Sequence, residues 1–259
     1  MQSMPADRLK LLVKDALDDL LWLASRRELR RLLLEHRPTS GPNLFKIMSS
    51  YRGQGWYKHL TAFQEKNEYE QLMDWAIAGQ PRVIVELGTA QGGTLLGWAR
   101  IATELVVSVD LEHGIHGGGY PAQKQRLYRE FGHGRDGVTI ELVQADSQSA
   151  GTRCKVESIL GGRPVDILFI DADHRLEGVR RDFALWSPLV RAGGFVVFHD
   201  IVKHNASENC HVDALWAELR TQYASFEIVT DHNQGYAGIG IIRMANQHHA
   251  PIETSRPSL

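Results

Sequence analysis

Cysteine is scarce in this 259-residue chain. Cys154 and Cys210 alone have neither the number nor the spacing of a disulfide framework or a zinc cluster, so a reducing cytoplasm is the expected setting. Long apolar runs are absent as well. No stretch approaches the roughly 20 apolar residues of a membrane-spanning helix, and Asp7, Arg8, Lys10, Lys14, Asp15, Asp18 and Asp19 interrupt the apolar core that a signal peptide needs. A surplus of positive charge is also missing: 29 basic against 31 acidic side chains give a net charge of -2. No global field draws in a polyanion, which leaves a small molecule, rather than nucleic acid or a membrane, as the expected partner.

What is present is ordinary for a globular protein, with 43% hydrophobic and 23% charged residues. The length suits one large α/β domain with an appendage. From 7 to 36, Leu9, Leu12, Val13, Leu17, Leu20, Leu21 and Leu23 recur at helical spacing, and Leu32, Leu33 and Leu34 extend that character. These helices read as a packing face toward the main domain or toward a second copy in a homo-oligomer. The breakers His36-Arg37-Pro38-Thr39-Ser40-Gly41-Pro42 mark a boundary. Tyr51-Arg52-Gly53-Gln54-Gly55-Trp56-Tyr57 then suits either a lid or a packed surface loop.

Beyond a helix at 67–78, short β-branched runs at 82–87, 105–110, 138–143, 165–171 and 195–199 alternate with helical stretches at 93–102, 123–131, 147–160, 176–189 and 212–223. Two further runs, 226–230 and 236–243, read as a terminal hairpin. The alternation predicts a Rossmann-like, doubly wound, mostly parallel seven-stranded sheet with an antiparallel end. The expected organisation is a helical extension at 1–65 (lid or oligomerisation segment), the main domain at 66–245 and a polar tail at 246–259.

The first strand ends in Val85-Glu86-Leu87 and runs into Gly88-Thr89-Ala90-Gln91-Gly92-Gly93 before a helix. Such a turn lets backbone amides approach a nucleotide-like ligand. Ala90 stands where the dinucleotide pattern G-x-G-x-x-G has its middle glycine, which weakens a dehydrogenase reading. The second strand ends in Asp110, whose acceptor-only carboxylate suits a ribose diol, although a helix cap or a surface charge is the other reading. The loop resembles motif I of the class I S-adenosylmethionine-dependent methyltransferases, with Glu86, Gly88 and Gly92 matching. That resemblance implies that the loop, Thr89 and Ala90 included, embraces the methionine part of the cofactor and that Glu86 helps order its amino end. It further implies adenine contacts from Asp146 and Ser147 after the third strand; alternatively Asp146 caps the next helix.

The stretch Val165-Asp166-Ile167-Leu168-Phe169-Ile170-Asp171-Ala172-Asp173-His174 delivers two acids and a histidine at a strand end, and Gly194-Phe195-Val196-Val197-Phe198-His199-Asp200 delivers a histidine and an acid beside it. Ligands bind at this edge of open α/β sheets. Asp171, His199 and Asp200 form a candidate divalent-metal set, Mg²⁺ first, with Mn²⁺, iron or zinc open because imidazole is less usual for magnesium. A metal-free site in which His199 only hydrogen-bonds a neighbour is the other reading. The D-x-x-H motif of Asp171 and His174 followed by the acid Asp200 resembles the metal-dependent macrolide-sugar O-methyltransferases and the cephamycin-pathway methyltransferase family, with His199 departing from the first acid of their pair. The resemblance implies that His174 is the base that deprotonates an accepting hydroxyl, and Asp171 counts among the cofactor contacts too. Alternatively His174 is a helix-start residue satisfying a carboxylate.

The expected activity is therefore S-adenosylmethionine-dependent O-methyl transfer to a hydroxyl of a small molecule, a sugar or glycosylated natural product. The rivals are a catalytically idle cofactor-binding or assembly protein of the same fold, and a methyltransferase for another acceptor class. Asp173, His204, Asn205, His211 and the run Gly117-Gly118-Gly119-Tyr120 stand near these motifs without an assigned role.

Overall fold

Seven strands form one sheet in the order β3-β2-β1-β4-β5-β7-β6 in the computed structural model, which describes residues 6–37, 39–112, 118–205 and 209–245. Pro38 of the breaker cluster, Gly117, the tail at 246–259 and the side chains of Leu9, Leu12 and Val13 lie outside the described residues.

The strands are β1 (Val83–Leu87), β2 (Leu105–Asp110), β3 (Thr139–Gln144), β4 (Val165–Ile170), β5 (Val190–His199), β6 (Ala224–Ile228) and β7 (Ile239–Arg243). The first five run parallel, while β7 is antiparallel to both β5 and β6. β1 and β4 are buried along their whole length, as expected for central parallel strands covered on both faces. Alternation divides the core into two layers. Val83, Val85 and Leu87 face one layer with Leu168, Ile170, Val196 and Phe198; Ile84, Val106, Ile167, Phe169 and Val197 face the other.

Helices α4 (Gly93–Ile101), α5 (Ala122–Arg129), α6 (Ala150–Leu160), α7 (Leu176–Trp186) and α8 (Val212–Leu219) follow the strands in alternation. Before the sheet come α1 (Ala6–Glu35), α2 (Gly41–Ser50) and α3 (Lys66–Gly79). The leucine-rich segment forms one 30-residue helix. Trp22, Leu29, Leu32 and Leu33 of α1 join the same core layer as Tyr69 and Leu72 of α3 and Trp98 of α4. In the 51–57 segment Tyr51 and Tyr57 are buried while Trp56 is exposed, and Tyr57 Oη donates to Asp18 of α1 at 3.0 Å.

Several boundaries shift by a few residues from the sequence expectation, and two of the shifts have a visible physical reason. β5 begins at Val190, five residues earlier, because Val190 pairs with Val165 before a register shift lets Phe195 pair with Ile167. The helix expected from 147 begins at Ala150, because Asp146 first closes a turn, its Oδ1 accepting from Gln148 N at 2.8 Å and its carbonyl from Ser149 N. The hairpin connection at 229–238 is anchored by the fully buried Glu68 of α3, whose carboxylate accepts from Thr230 N, Gln234 Nε2 and Gly238 N.

Candidate functional site

The strand order reverses between β1 and β4, and the turns leaving β1, β2, β4 and β5 converge at the carboxyl edge on either side of that switch. The loop after β1 requires its glycines. Gly88 has φ +87, and a Cβ there would stand 2.1 Å from the carbonyl oxygen of Asp171; at Gly92, φ +77, it would enter the ring of Tyr128. Ala90 takes the left-handed conformation without being glycine, at φ 46, and its amide donates to Asp110 Oδ2 at 3.2 Å.

Asp110 sits at the tip of β2 beside this loop. Its carboxylate also accepts from Leu111 N at 2.9 Å and Gly119 N at 3.0 Å, so Gly119 closes over it. Burial raises its pKa, against the pull of those amides and of Lys124. Three amides leave lone pairs of the two oxygens open to further donors, which fits a ribose diol.

Glu86 lies beneath the loop with no exposure. Ser108 Oγ and Thr89 Oγ1 donate to its Oε2 at 2.5 and 3.1 Å, Tyr120 Oη bonds both hydroxyls, and Oε1 is buried with no partner. Burial pushes this carboxyl up to about 8 in spite of the hydroxyls. Its contacts hold the loop to β2 from below. Asp146 is exposed at the end of β3, whereas Ser147 is buried and its carbonyl accepts from Trp186 Nε1 at 2.8 Å.

Across the switch, Asp171, His174, His199 and Asp200 meet. His199 Nδ1 lies 3.1 Å from Asp171 Oδ1 and 3.2 Å from Asp200 Oδ2. His174 Nε2 lies 3.3 and 3.4 Å from the same two oxygens. His199 and Asp200 are buried, while the His174 side chain keeps 32% of its surface exposed. Burial opposes charge on all four, yet their opposite charges prevail: both carboxyls are held below the usual range and both imidazoles above it, His199 most strongly.

Three further residues complete this cluster: Gln64 and Ala237, which no motif marked, and His204, which the sequence left without a role. Gln64 Nε2 donates to Asp171 Oδ2 at 3.0 Å from the segment before α3. His204 Nε2 pairs with Asp200 Oδ1 at 3.0 Å, and Ala237 N donates to the same oxygen at 3.1 Å. His211 contributes its backbone amide to the carbonyl of His174 at 2.8 Å. Asp173 is held by Arg175 and by Gln148 Nε2, and the Arg175 guanidinium brings its carboxyl down to about 2. Gln64 is placed only by the fold: Thr61 O accepts from Gly93 N at 3.1 Å, so the chain before α3 runs from the glycine loop toward Asp171.

Residues 85–201 match the family model of a methyltransferase domain. The likeness to a methyltransferase domain thus spans a little under half of the chain. The matched span contains the glycine loop, Asp110, Asp146, Asp171, His174, His199 and Asp200. No curated protein matches the chain. Among solved structures it is similar to the MycE methyltransferase of the mycinamycin biosynthetic pathway in complex with Mg, SAH and mycinamycin VI, at TM-score 0.53 and 16% identity over 86% of this chain and 58% of that one. A candidate caffeoyl-CoA O-methyltransferase from Staphylococcus aureus gives TM-score 0.52 and 14% identity over 82% and 96% of the two chains. An O-methyltransferase from Bacillus cereus in complex with SAH gives 0.49 and 18% over 84% and 90%. The chain thus shares its fold, the seven-stranded mixed sheet described above, with the MycE methyltransferase.

Proposed function

We propose that this protein transfers the methyl group of S-adenosylmethionine to a hydroxyl of a small molecule, with a sugar or glycosylated natural product as the acceptor class. The observation that carries the reading is His174, one-third exposed at the carboxyl edge with Nε2 within 3.4 Å of two carboxylates. A hydroxyl is a poor nucleophile until its proton leaves. His174 takes that proton at Nε2, and Asp171 and Asp200 stabilise the imidazolium that results.

On the cofactor side, Asp110 receives the ribose hydroxyls, and the backbone of Gly88, Thr89, Ala90 and Gly92 lies against the methionine part. Glu86 supports that loop through Ser108 and Thr89. Asp146 and Ser147 serve the adenine end. Asp171 joins the two sides, since its backbone packs against Gly88.

The donor atoms of Asp171, His199 and Asp200 lie close enough together to share one divalent ion. When bound, such an ion lowers the pKa of the accepting hydroxyl and fixes its approach; Mg²⁺ is the first expectation and Mn²⁺ the next. The Mg and mycinamycin VI of the MycE complex support a metal and a natural-product acceptor for this chain.

The organisation we propose is a helical extension at 1–65, the domain at 66–245 and a polar tail at 246–259. Leu17, Leu20, Leu23 and Leu34 of α1 stay exposed, which supports self-association through the extension, readable by light scattering. Among the described residues no helix is long and apolar enough to cross a membrane; a cytoplasmic setting belongs to the same proposal.

A protein that binds the cofactor without turnover is the second reading. His199 favours it, because a protonated ring at Nδ1 satisfies both carboxylates without an ion. Labelled S-adenosylmethionine with a panel of sugars, glycosides and phenols, with and without divalent ions, separates the two. Label transfer to a hydroxylated acceptor is expected; cofactor binding with no transfer to any acceptor would leave the second reading standing.

A further inference from the structure

The metal reading above stands, but its order of ions is reversed by one feature: one of the three donors is an imidazole. Ligand atoms about 2.1 Å from a six-coordinate ion are about 3.0 Å apart, and around a four-coordinate one about 3.4 Å apart. His199 Nδ1 stands 3.1 and 3.2 Å from Asp171 Oδ1 and Asp200 Oδ2, between those limits. His174 Nε2, the atom assigned above to the base, lies 3.3 and 3.4 Å from the same oxygens.

The surroundings aim these atoms. Each carboxylate has one oxygen tethered and the other turned to His199: Gln64 Nε2 holds Asp171 Oδ2, while Ala237 N and His204 Nε2 hold Asp200 Oδ1. Asp200 adopts φ +63, in the left-handed region that aspartate enters more readily than most non-glycine residues, with its carboxylate beside His199. His199 ends β5 opposite Ile239 and is 5% exposed; its Nε2 is buried without a partner, so the polar contacts of the ring lie at Nδ1. Outer contacts of this kind fix ligand orientation and raise affinity.

Magnesium is a hard ion that favours oxygen donors and retains water, whereas imidazole suits the later first-row ions. We infer that His199 makes this centre select a first-row transition ion, of which Co²⁺ and Zn²⁺ are the working probes, over Mg²⁺. The inference rests on the metal reading of the proposed function and assigns to one residue the choice of ion.

The test uses the full chain stripped of metal and titrated separately with Mg²⁺, Co²⁺ and Zn²⁺ by calorimetry, in wild type and in His199→Asp. Co²⁺ and Zn²⁺ should bind one equivalent at least about tenfold more tightly than Mg²⁺, and His199→Asp should shrink that ratio by about tenfold. The proton NMR spectrum of the Co²⁺ complex should show a strongly shifted, exchangeable imidazole N–H resonance that persists in a His174→Ala, His204→Ala double variant. This resonance reads His199 ligation even where His199→Asp fails to fold.

Mg²⁺ binding as tight as Co²⁺ and Zn²⁺, an unchanged ratio in His199→Asp, loss of the shifted resonance in the double variant, or no bound ion would each overturn the inference. Methyl transfer measured in chelator distinguishes this failure from that of the proposed function. Activity without any ion would remove the metal and leave the methyltransferase reading intact.

Discussion

The two halves of the carboxyl edge bury their carboxyl groups to similar ends by opposite electrostatics. Beside β1 and β2, Glu86 and Asp110 are surrounded by hydroxyls and amides, and burial raises both pKa values. Beside β4 and β5, Asp171 and Asp200 face two imidazoles and are held low. Hydroxyls and amides are neutral dipoles that offset desolvation only in part, whereas an imidazolium supplies a full opposing charge. The first half is thereby suited to hold a ligand through backbone and dipoles, and the second to move a proton or hold an ion.

The largest expected break in this contrast is His174→Ala, which should lower turnover by at least about 100-fold, the usual scale of a general base, while cofactor affinity by calorimetry stays within error. Equal turnover in the variant would remove the base. Next comes Gly88→Ala, at the point where the halves touch. Its Cβ would stand 2.1 Å from the Asp171 carbonyl at φ +87, so chemical denaturation should show a loss of at least about 2 kcal/mol; wild-type stability would show that the loop can move away from β4.

Asp110→Ala should weaken cofactor binding by about 10- to 100-fold, the range expected for lost hydrogen bonds to a charged acceptor, with turnover at saturating cofactor nearly unchanged. A matching fall in saturated turnover would instead tie Asp110 to the chemistry.

The last test sharpens the electrostatic contrast itself. The Glu86 carboxyl is raised to about 8 in the fold against roughly 4.3 in an unfolded chain, so the unfolded state releases its proton first. Its contribution is fully present below the unfolded value and is lost as pH rises from about 4.3 through about 8. Glu86→Gln should remove that slope, and parallel wild-type and variant stability curves between pH 5 and 8 would show that the carboxyl is not shifted.

Much of the fold was legible because strand ends and glycine turns are local signals. The β-branched runs marked the strands to within a few residues, except where Val190 extended β5 through pairing with Val165, a choice made by the neighbouring strand. Asp171, His174, His199 and Asp200 were legible as strand-end residues of adjacent strands. Gln64 was not, since it precedes α3 and carries no motif, and His204 stood out only as a loop histidine whose pairing with Asp200 the sequence does not encode. Glu68 read as an ordinary helix residue, although it is fully buried and anchors the hairpin connection.

By itself the sequence determined the alternation of strands and helices, the glycine loop and the candidate residues at the strand ends, because each depends on contacts between near neighbours along the chain. Tertiary structure decided that β7 inserts between β5 and β6, that Glu86 works beneath the loop, and that two imidazoles share the same pair of carboxylate oxygens. Those outcomes depend on register, burial and charge brought together from distant segments, and no local pattern encodes a distance between them.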